Sequence, residues 1–305
     1  MLNQPSVDSA LSEKRAQFHE FAARQAEQQR RSSERVSLLQ EMDRVTILKR
    51  LDEIDDPWPG AIPTDEFDVA TDLCFPFDEG WDNHQDARAW SRQILENRAT
   101  IAVDGSQIVP STDYLPLVGA TQIGWFVNEH NADKPYVKDL SFSVLPPDDL
   151  SDGDDGDDES VAVQVVNQVR FVGECDKLSE LMRQRSAIAD ASTALAFFDG
   201  SFIISFAGRI REYRAQHYID AVRDLLADSE QYKAPLIGFV DSSRSRDVVS
   251  LINAIREPDE PAISISDGMI FHPLLKNWGD RSPFFVCACD DGLSSTGRGG
   301  FYKQV

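Results

Sequence analysis

Two apolar runs in this chain end in the same three residues. Ile101-Ala102-Val103 runs into Asp104-Gly105-Ser106, and Ala196-Phe197-Phe198 runs into Asp199-Gly200-Ser201. Each reads as a buried strand stopping at a carboxylate and a glycine turn, which holds an acid rigidly at the lip of a sheet. One Asp-Gly-Ser on its own is ordinarily a strand-end turn. Two of them suggest a shared metal, and Gly238-Phe239-Val240-Asp241-Ser242-Ser243 has a similar character. Clustered carboxylates suit Mg²⁺ or Mn²⁺. Two such ions about 4 Å apart activate a water and stabilise the leaving oxygen of a phosphodiester.

Other chemistry-bearing residues offer less. Cys74, Cys175, Cys287 and Cys289 include no C-x-x-C pair, and Cys287-Ala288-Cys289 alternates as a strand does, so all four read as reduced packing residues. The five histidines (His19, His84, His130, His217 and His272) lack metal-ligand spacing and carry no catalytic assignment. No apolar run approaches the roughly 20 residues that cross a bilayer. The start, Met1-Leu2-Asn3-Gln4-Pro5, lacks the regions of a signal peptide. A cytoplasmic protein without membrane association is expected.

The elements that must position the two aspartates follow from periodicity. Val7 to Ile54 reads as one long amphipathic helix with a stripe of Leu38, Met42, Val45, Leu48 and Leu51. Its polar first half makes residues 1–56 an arm for a partner or for the chain's own domain. Pro57-Trp58-Pro59-Gly60 ends it, and residues 57–84 read as a linker. A helix over Gln85–Asn97 then leads into a core spanning 85–305. Strands are expected at Thr100–Val103, Leu115–Asn128 and Tyr136–Leu145, joined by short connections that suit an antiparallel meander. Next come a helix over Val161–Ala191, a strand at Leu195–Phe198 that Phe202–Phe206 extends, and a helix over Tyr213–Ala227. A strand at Pro235–Val240, a helix over Asp247–Ile255 and a strand at Phe284–Ala288 complete the order. The chain stops at Gly300-Phe301-Tyr302-Lys303-Gln304-Val305, inside a strand-like stretch, as a truncated product would.

The formal charge is −22, with 8 Lys against 22 Arg. Excess acid with few lysines fits a salty cytoplasm, where screening limits self-repulsion. It argues against long-range attraction of a polyanion. Charge is uneven, however: an acidic loop over 147–160 holds Asp148, Asp149, Asp152, Asp154, Asp155, Asp157, Asp158 and Glu159, whereas arginine gathers in Arg209-Ile210-Arg211-Glu212-Tyr213-Arg214 and Arg244-Ser245-Arg246. The acidic loop lacks the ligand order of an EF-hand and reads as a solvated segment.

A strand meander, a helix and a fourth strand, with acids ending strands one and four, is the ribonuclease H-like arrangement. It is an α/β fold whose mixed sheet is flanked by helices. Strands one and four lie side by side there, so Asp104 and Asp199 converge and the helix between them supplies a third ligand.

Several of these segments together resemble a family. Ile101-Ala102-Val103-Asp104-Gly105-Ser106-Gln107-Ile108, the helix beginning Arg170-Phe171-Val172-Gly173-Glu174, Phe197-Phe198-Asp199-Gly200-Ser201 and Gly279-Asp280-Arg281-Ser282-Pro283 look like the NurA nucleases, over about Gln85 to Val305. The resemblance implies a ribonuclease H-like, PIWI-like core, a homodimer and a Mn²⁺ cofactor, with Mg²⁺ as the substitute. It also implies resection of DNA ends at double-strand breaks beside a HerA-type hexameric ATPase. Carried over, the family's two aspartates fall on Asp104 and Asp199. Its glutamate falls on Glu174, one helical turn after Arg170, with Glu180 as the rival. Asp104, Glu174 and Asp199 are then both metal ligands and catalytic residues. The Tyr and His that NurA proteins carry near their carboxyl termini have no match before Val305.

Two other classes compete. Asp241-Ser242-Ser243-Arg244-Ser245 matches the D-x-S-x-S signature of metal-dependent adhesion modules, although few residues follow it. An inactive interaction scaffold, docking a partner through its first helix, is the third reading.

Overall fold

The computed structural model describes residues 3–54, 58–111, 113, 116–151, 159–188, 194–202, 204, 210–241 and 243–288. The strand-like end at 300–305, Cys289, the middle of the acidic loop and most of the 202–206 extension lie outside these. The chain divides into two compact units, one taking in Met1–Glu79 and Ser242–Asp290, the other Gly80–Asp241.

In the first unit, α1 (Gln4–Gln40) begins at Asn3, whose side chain accepts from the Ser6 N–H at 3.2 Å, with proline in the first turn where its missing N–H costs nothing. Glu20–Arg24, Glu27–Arg31 and Arg30–Glu34 pairs line its exposed length. The single helix expected over 7–54 is broken: α1 ends at Gln40 and α2 (Arg44–Ile54) restarts after Asp43. The Asp43 carboxylate accepts from the Thr46 N–H at 2.7 Å, capping the new helix. The break changes the phase of the apolar stripe, so Val36, Leu39, Ile47 and Leu51 are buried while Leu38 and Val45 are exposed.

Those residues pack with α7 (Asp247–Ala254) and with Ile263, Ile265 and Ile270, the last on α8 (Asp267–Phe271). Asp267 caps α7 from outside its own sequence, accepting from the N–H groups of Val248 (3.2 Å) and Val249 (2.9 Å). Residues 60–63 of the stretch read as a linker form β1 (Gly60–Pro63). It pairs antiparallel with β7 (Phe285–Ala288), the strand expected to end the core. Gly60 has φ +87, and a Cβ there would run into the Asp247 carbonyl, so only glycine lets this strand approach α7.

The second unit is a five-stranded mixed sheet in the order β4-β3-β2-β5-β6. β2 (Thr100–Ile108), β3 (Gly119–Asn128) and β4 (Val137–Leu145) form the antiparallel meander. β5 (Leu195–Asp199) lies parallel to β2, and β6 (Leu236–Phe239) parallel to β5. Between meander and β5 run the short α4 (Pro147–Leu150) and the long α5 (Glu159–Ser186); α6 (Glu212–Tyr232) joins β5 to β6. Strand alternation sends Ile101, Val103, Ile123, Ala196 and Phe198 into a core with Cys175, Leu178 and Met182 of α5 and Leu225 of α6. α3 (His84–Leu95), capped by Asn83, precedes β2. No helix among the described residues is long and apolar enough to cross a membrane.

Candidate active site

The first Asp-Gly-Ser is not the strand end that its sequence suggests. β2 continues through it to Ile108, with Asp104 opposite Gly124, Gly105 opposite Ile123 and Ser106 opposite Gln122 on β3. A partner strand that pairs with every residue of β2 supplies what local sequence cannot reveal. The second motif does end its strand. β5 stops at Asp199, and Gly200 turns away at φ +144.

The register then fixes the two acids. Val103 pairs with Phe198 in the parallel ladder, so the next step brings Asp199 level with Asp104 on the neighbouring strand. Strands lie about 4.8 Å apart, and level residues on parallel strands share a face. With Val103 and Phe198 turned into the core, Asp104 and Asp199 both face away from α5. They line a cleft of about 740 Å³, together with Lys138, Phe239 and Asp241. Asp241 was no part of the expected ligand set. Its signal in the sequence was the third strand-to-acid run, Gly238 to Ser243.

Glu174 approaches from the other side of the same strand. It is buried, takes the Gly105 N–H on its carboxylate and pairs with Arg170 one turn earlier on α5. Arg170 Nε in turn donates to Gln107 Oε1 at 2.9 Å, and Gln107 Nε2 donates to Asn167 Oδ1 at 2.5 Å. Glycine is required at 105 because a Cβ would overlap Glu174 Oε1 and Arg170 Cγ. Burial pushes the Glu174 carboxyl above the ordinary carboxylate range. Arg170 and the Gly105 N–H pull the other way, and the nearby Asp104 charge adds to the rise.

Glu180 lies elsewhere. It accepts from Lys177 Nζ and Gln184 Nε2, each at 2.7 Å, and borders a separate cavity with Asp224 and Asp228. Of the two glutamates weighed from the sequence, Glu174 is the one set beside Asp104. Among the described residues, no three acid, imidazole or thiol groups stand close enough to hold a metal ion by themselves. The level pair of aspartates provides hard oxygen donors of the kind that Mn²⁺ and Mg²⁺ take, a set those ions commonly complete with water and phosphate.

Fold and site together define an α/β protein with paired carboxylates on adjacent parallel strands of a mixed sheet. The NurA domain family matches residues 98–304, about two thirds of the chain, and the chain belongs to that family. Membership places it among nucleases of DNA repair. No curated protein matches it.

Proposed function

We propose that this chain is a metal-dependent deoxyribonuclease in which Asp104 and Asp199 hold Mn²⁺, or Mg²⁺ in its place, with Glu174 as the residue that positions Asp104 from behind β2. The observation that carries the reading is the parallel register that sets Asp199 level with Asp104. A ribonuclease H-like core is supported by the strand order β4-β3-β2-β5-β6, with an antiparallel meander, a helical crossover and two parallel strands.

A bound divalent ion supplies neutralisation of the scissile phosphate and acidification of water. The chain's own contribution is positioning. The two aspartates stand on paired strands, so little reorganisation is needed when charge develops on the phosphate. Lys138 lines the same cleft and can meet a phosphate oxygen. Glu174 stands on the α5 face of β2, behind the cleft, where its ion pair with Arg170 and its contact with Gly105 hold the strand that carries Asp104.

The family adds finer proposals: action on DNA ends during double-strand break resection, work beside a HerA-type hexameric ATPase, assembly as a homodimer, and a cytoplasmic setting. The adhesion reading is weakened because Ser245 of its motif is engaged with two carboxylates at the start of α7. The Ser245 hydroxyl lies 2.8 Å from Asp247 Oδ2 and 3.0 Å from Asp267 Oδ2 and shares its one hydrogen between them.

End-labelled single-stranded and duplex DNA, incubated with Mn²⁺, Mg²⁺ or EDTA, tests the assignment. Cleavage should require the ion and fall at least about 100-fold in Asp104→Ala and Asp199→Ala at unchanged far-ultraviolet circular dichroism, the size of loss that removing transition-state charge stabilisation produces. Normal cutting by either variant would refute the roles of both aspartates as metal ligands.

A further inference from the structure

Beyond the carboxylates, a second cavity opens between α5 and the start of α6. It has a volume of about 300 Å³ and is lined by Asn167, Arg170 and Phe171 of α5 and by Arg214 and Tyr218 of α6, with Gln164 at its border. In a chain of charge −22, this lining holds two guanidinium groups, two amides and a phenol, and no acid among the described residues. Arg214 is only 4 % exposed, an unusual position for a charged side chain. Its Nε donates to Tyr213 Oη at 3.1 Å, which orients the fork. Arg170 is oriented by Glu174 and Gln107. Burial raises the Tyr218 hydroxyl, and the positive charges of Arg170 and Arg214 both oppose that rise, so both guanidinium groups act on the phenol.

Two contacts tie the cavity to the aspartates. On the β2 side, Arg170 leads through Glu174 to Gly105, the neighbour of Asp104. On the β5 side, Phe171 packs between Tyr218 (ring centroids 5.0 Å apart) and Phe198 (5.7 Å), and Phe198 precedes Asp199. The position conforms to a general rule for α/β sheets, in which ligands bind beyond the carboxyl ends of parallel strands. Planar guanidinium forks match phosphate oxygens two at a time.

We propose that this cavity, on the α5–α6 face of the sheet and so opposite the carboxylate cleft, is a phosphate-binding pocket, seating a non-scissile phosphate of the DNA strand, with Arg214 and Tyr218 as its contacts and Arg170 completing it. The proposal rests on the nuclease reading for the identity of the strand. The phosphate is either a terminal monoester or an internal diester, and the chemistry of recognition is the same.

Fluorescence anisotropy in EDTA, where cleavage is absent, separates binding from catalysis. The probes are 3′-labelled single-stranded oligonucleotides bearing a 5′-phosphate or a 5′-hydroxyl. Arg214→Gln should weaken binding about 10-fold and lower the slope of log affinity against log salt by about 1, the signature of one lost phosphate contact. Tyr218→Phe should weaken it by a smaller factor. If removal of the 5′-phosphate weakens the wild type and makes Arg214→Gln indistinguishable from it, the terminal monoester is the ligand. If both oligonucleotides lose equally, the ligand is an internal diester.

A folded Arg214→Gln protein with wild-type affinity and salt slope would overturn the pocket. Should that variant fail to fold, Arg214→Lys combined with Tyr218→Phe decides, and wild-type binding again overturns it. Mn²⁺-dependent cleavage by the wild type distinguishes this failure from failure of the nuclease reading: cutting without any effect at Arg214 sinks the pocket alone.

Discussion

Gly105 is the residue on which the two sides of the site meet. Its missing side chain lets Glu174 and Arg170 lie against β2, and its N–H is taken by the Glu174 carboxylate. Gly105→Ala should therefore destabilise the unit by about 1–3 kcal/mol through overpacking, read from urea unfolding midpoints, and should lower cleavage more than binding because it displaces Glu174. Nearby, burial pushes the Cys175 thiol up to about 12, with the Glu174 and Asp176 charges adding to the rise. A thiol raised in the fold above its unfolded value near 9 keeps its full contribution to stability below pH 9. That contribution declines as pH climbs toward 12. In native protein at pH 8, iodoacetamide should leave Cys175 unmodified, as peptide mass mapping would show, and should reach it once urea unfolds the chain. Labelling of Cys175 in folded protein at the rate of a free thiol would contradict its burial.

At the scale of elements, what the sequence revealed and what it hid have the same cause. Periodicity reports which side of an element is apolar, so β3, β4, α5, α6 and α7 emerged close to their true bounds. It does not report the partner. β2 passes through Asp104-Gly105-Ser106 because β3 pairs with every residue of it, and a turn signal in isolation reads as a stop. β1 escaped notice for a related reason: a four-residue stretch flanked by proline and glycine becomes a strand only through distant β7. The α1–α2 break was legible in principle, since Asp43 stands three residues before Thr46 as an N-cap does. Met42 continued the apolar spacing across the joint and concealed it. Asp43→Ala should cost about 1 kcal/mol of stability in thermal or urea melts, the usual value for a lost cap. An unchanged midpoint would show that α2 is held by packing alone.

For the whole molecule, charge bears on the site. In a chain of −22, Asp104 and Asp199 stand exposed in one cleft, where their negative charges favour a cation and oppose a phosphate. The aspartates themselves were legible from the sequence as an acid pair, because repeated strand-to-acid runs survive without knowledge of the fold. Glu174 came from the family resemblance, in which the glutamate follows Arg170 by one helical turn, with Glu180 left as its rival. Asp241, Lys138 and the arginine cavity required three-dimensional packing to become visible, since nothing in their spacing ties them to the pair. The nuclease assignment therefore stands or falls on whether Asp104 and Asp199 share a divalent ion. Titration of Mn²⁺ into the folded protein, with free ion counted by electron paramagnetic resonance, measures this most directly. Wild type should bind Mn²⁺, and Asp104→Asn and Asp199→Asn should each weaken that binding at least about 10-fold, as loss of one of two shared carboxylates requires. Equal Mn²⁺ affinity in wild type and both variants would contradict a shared ion.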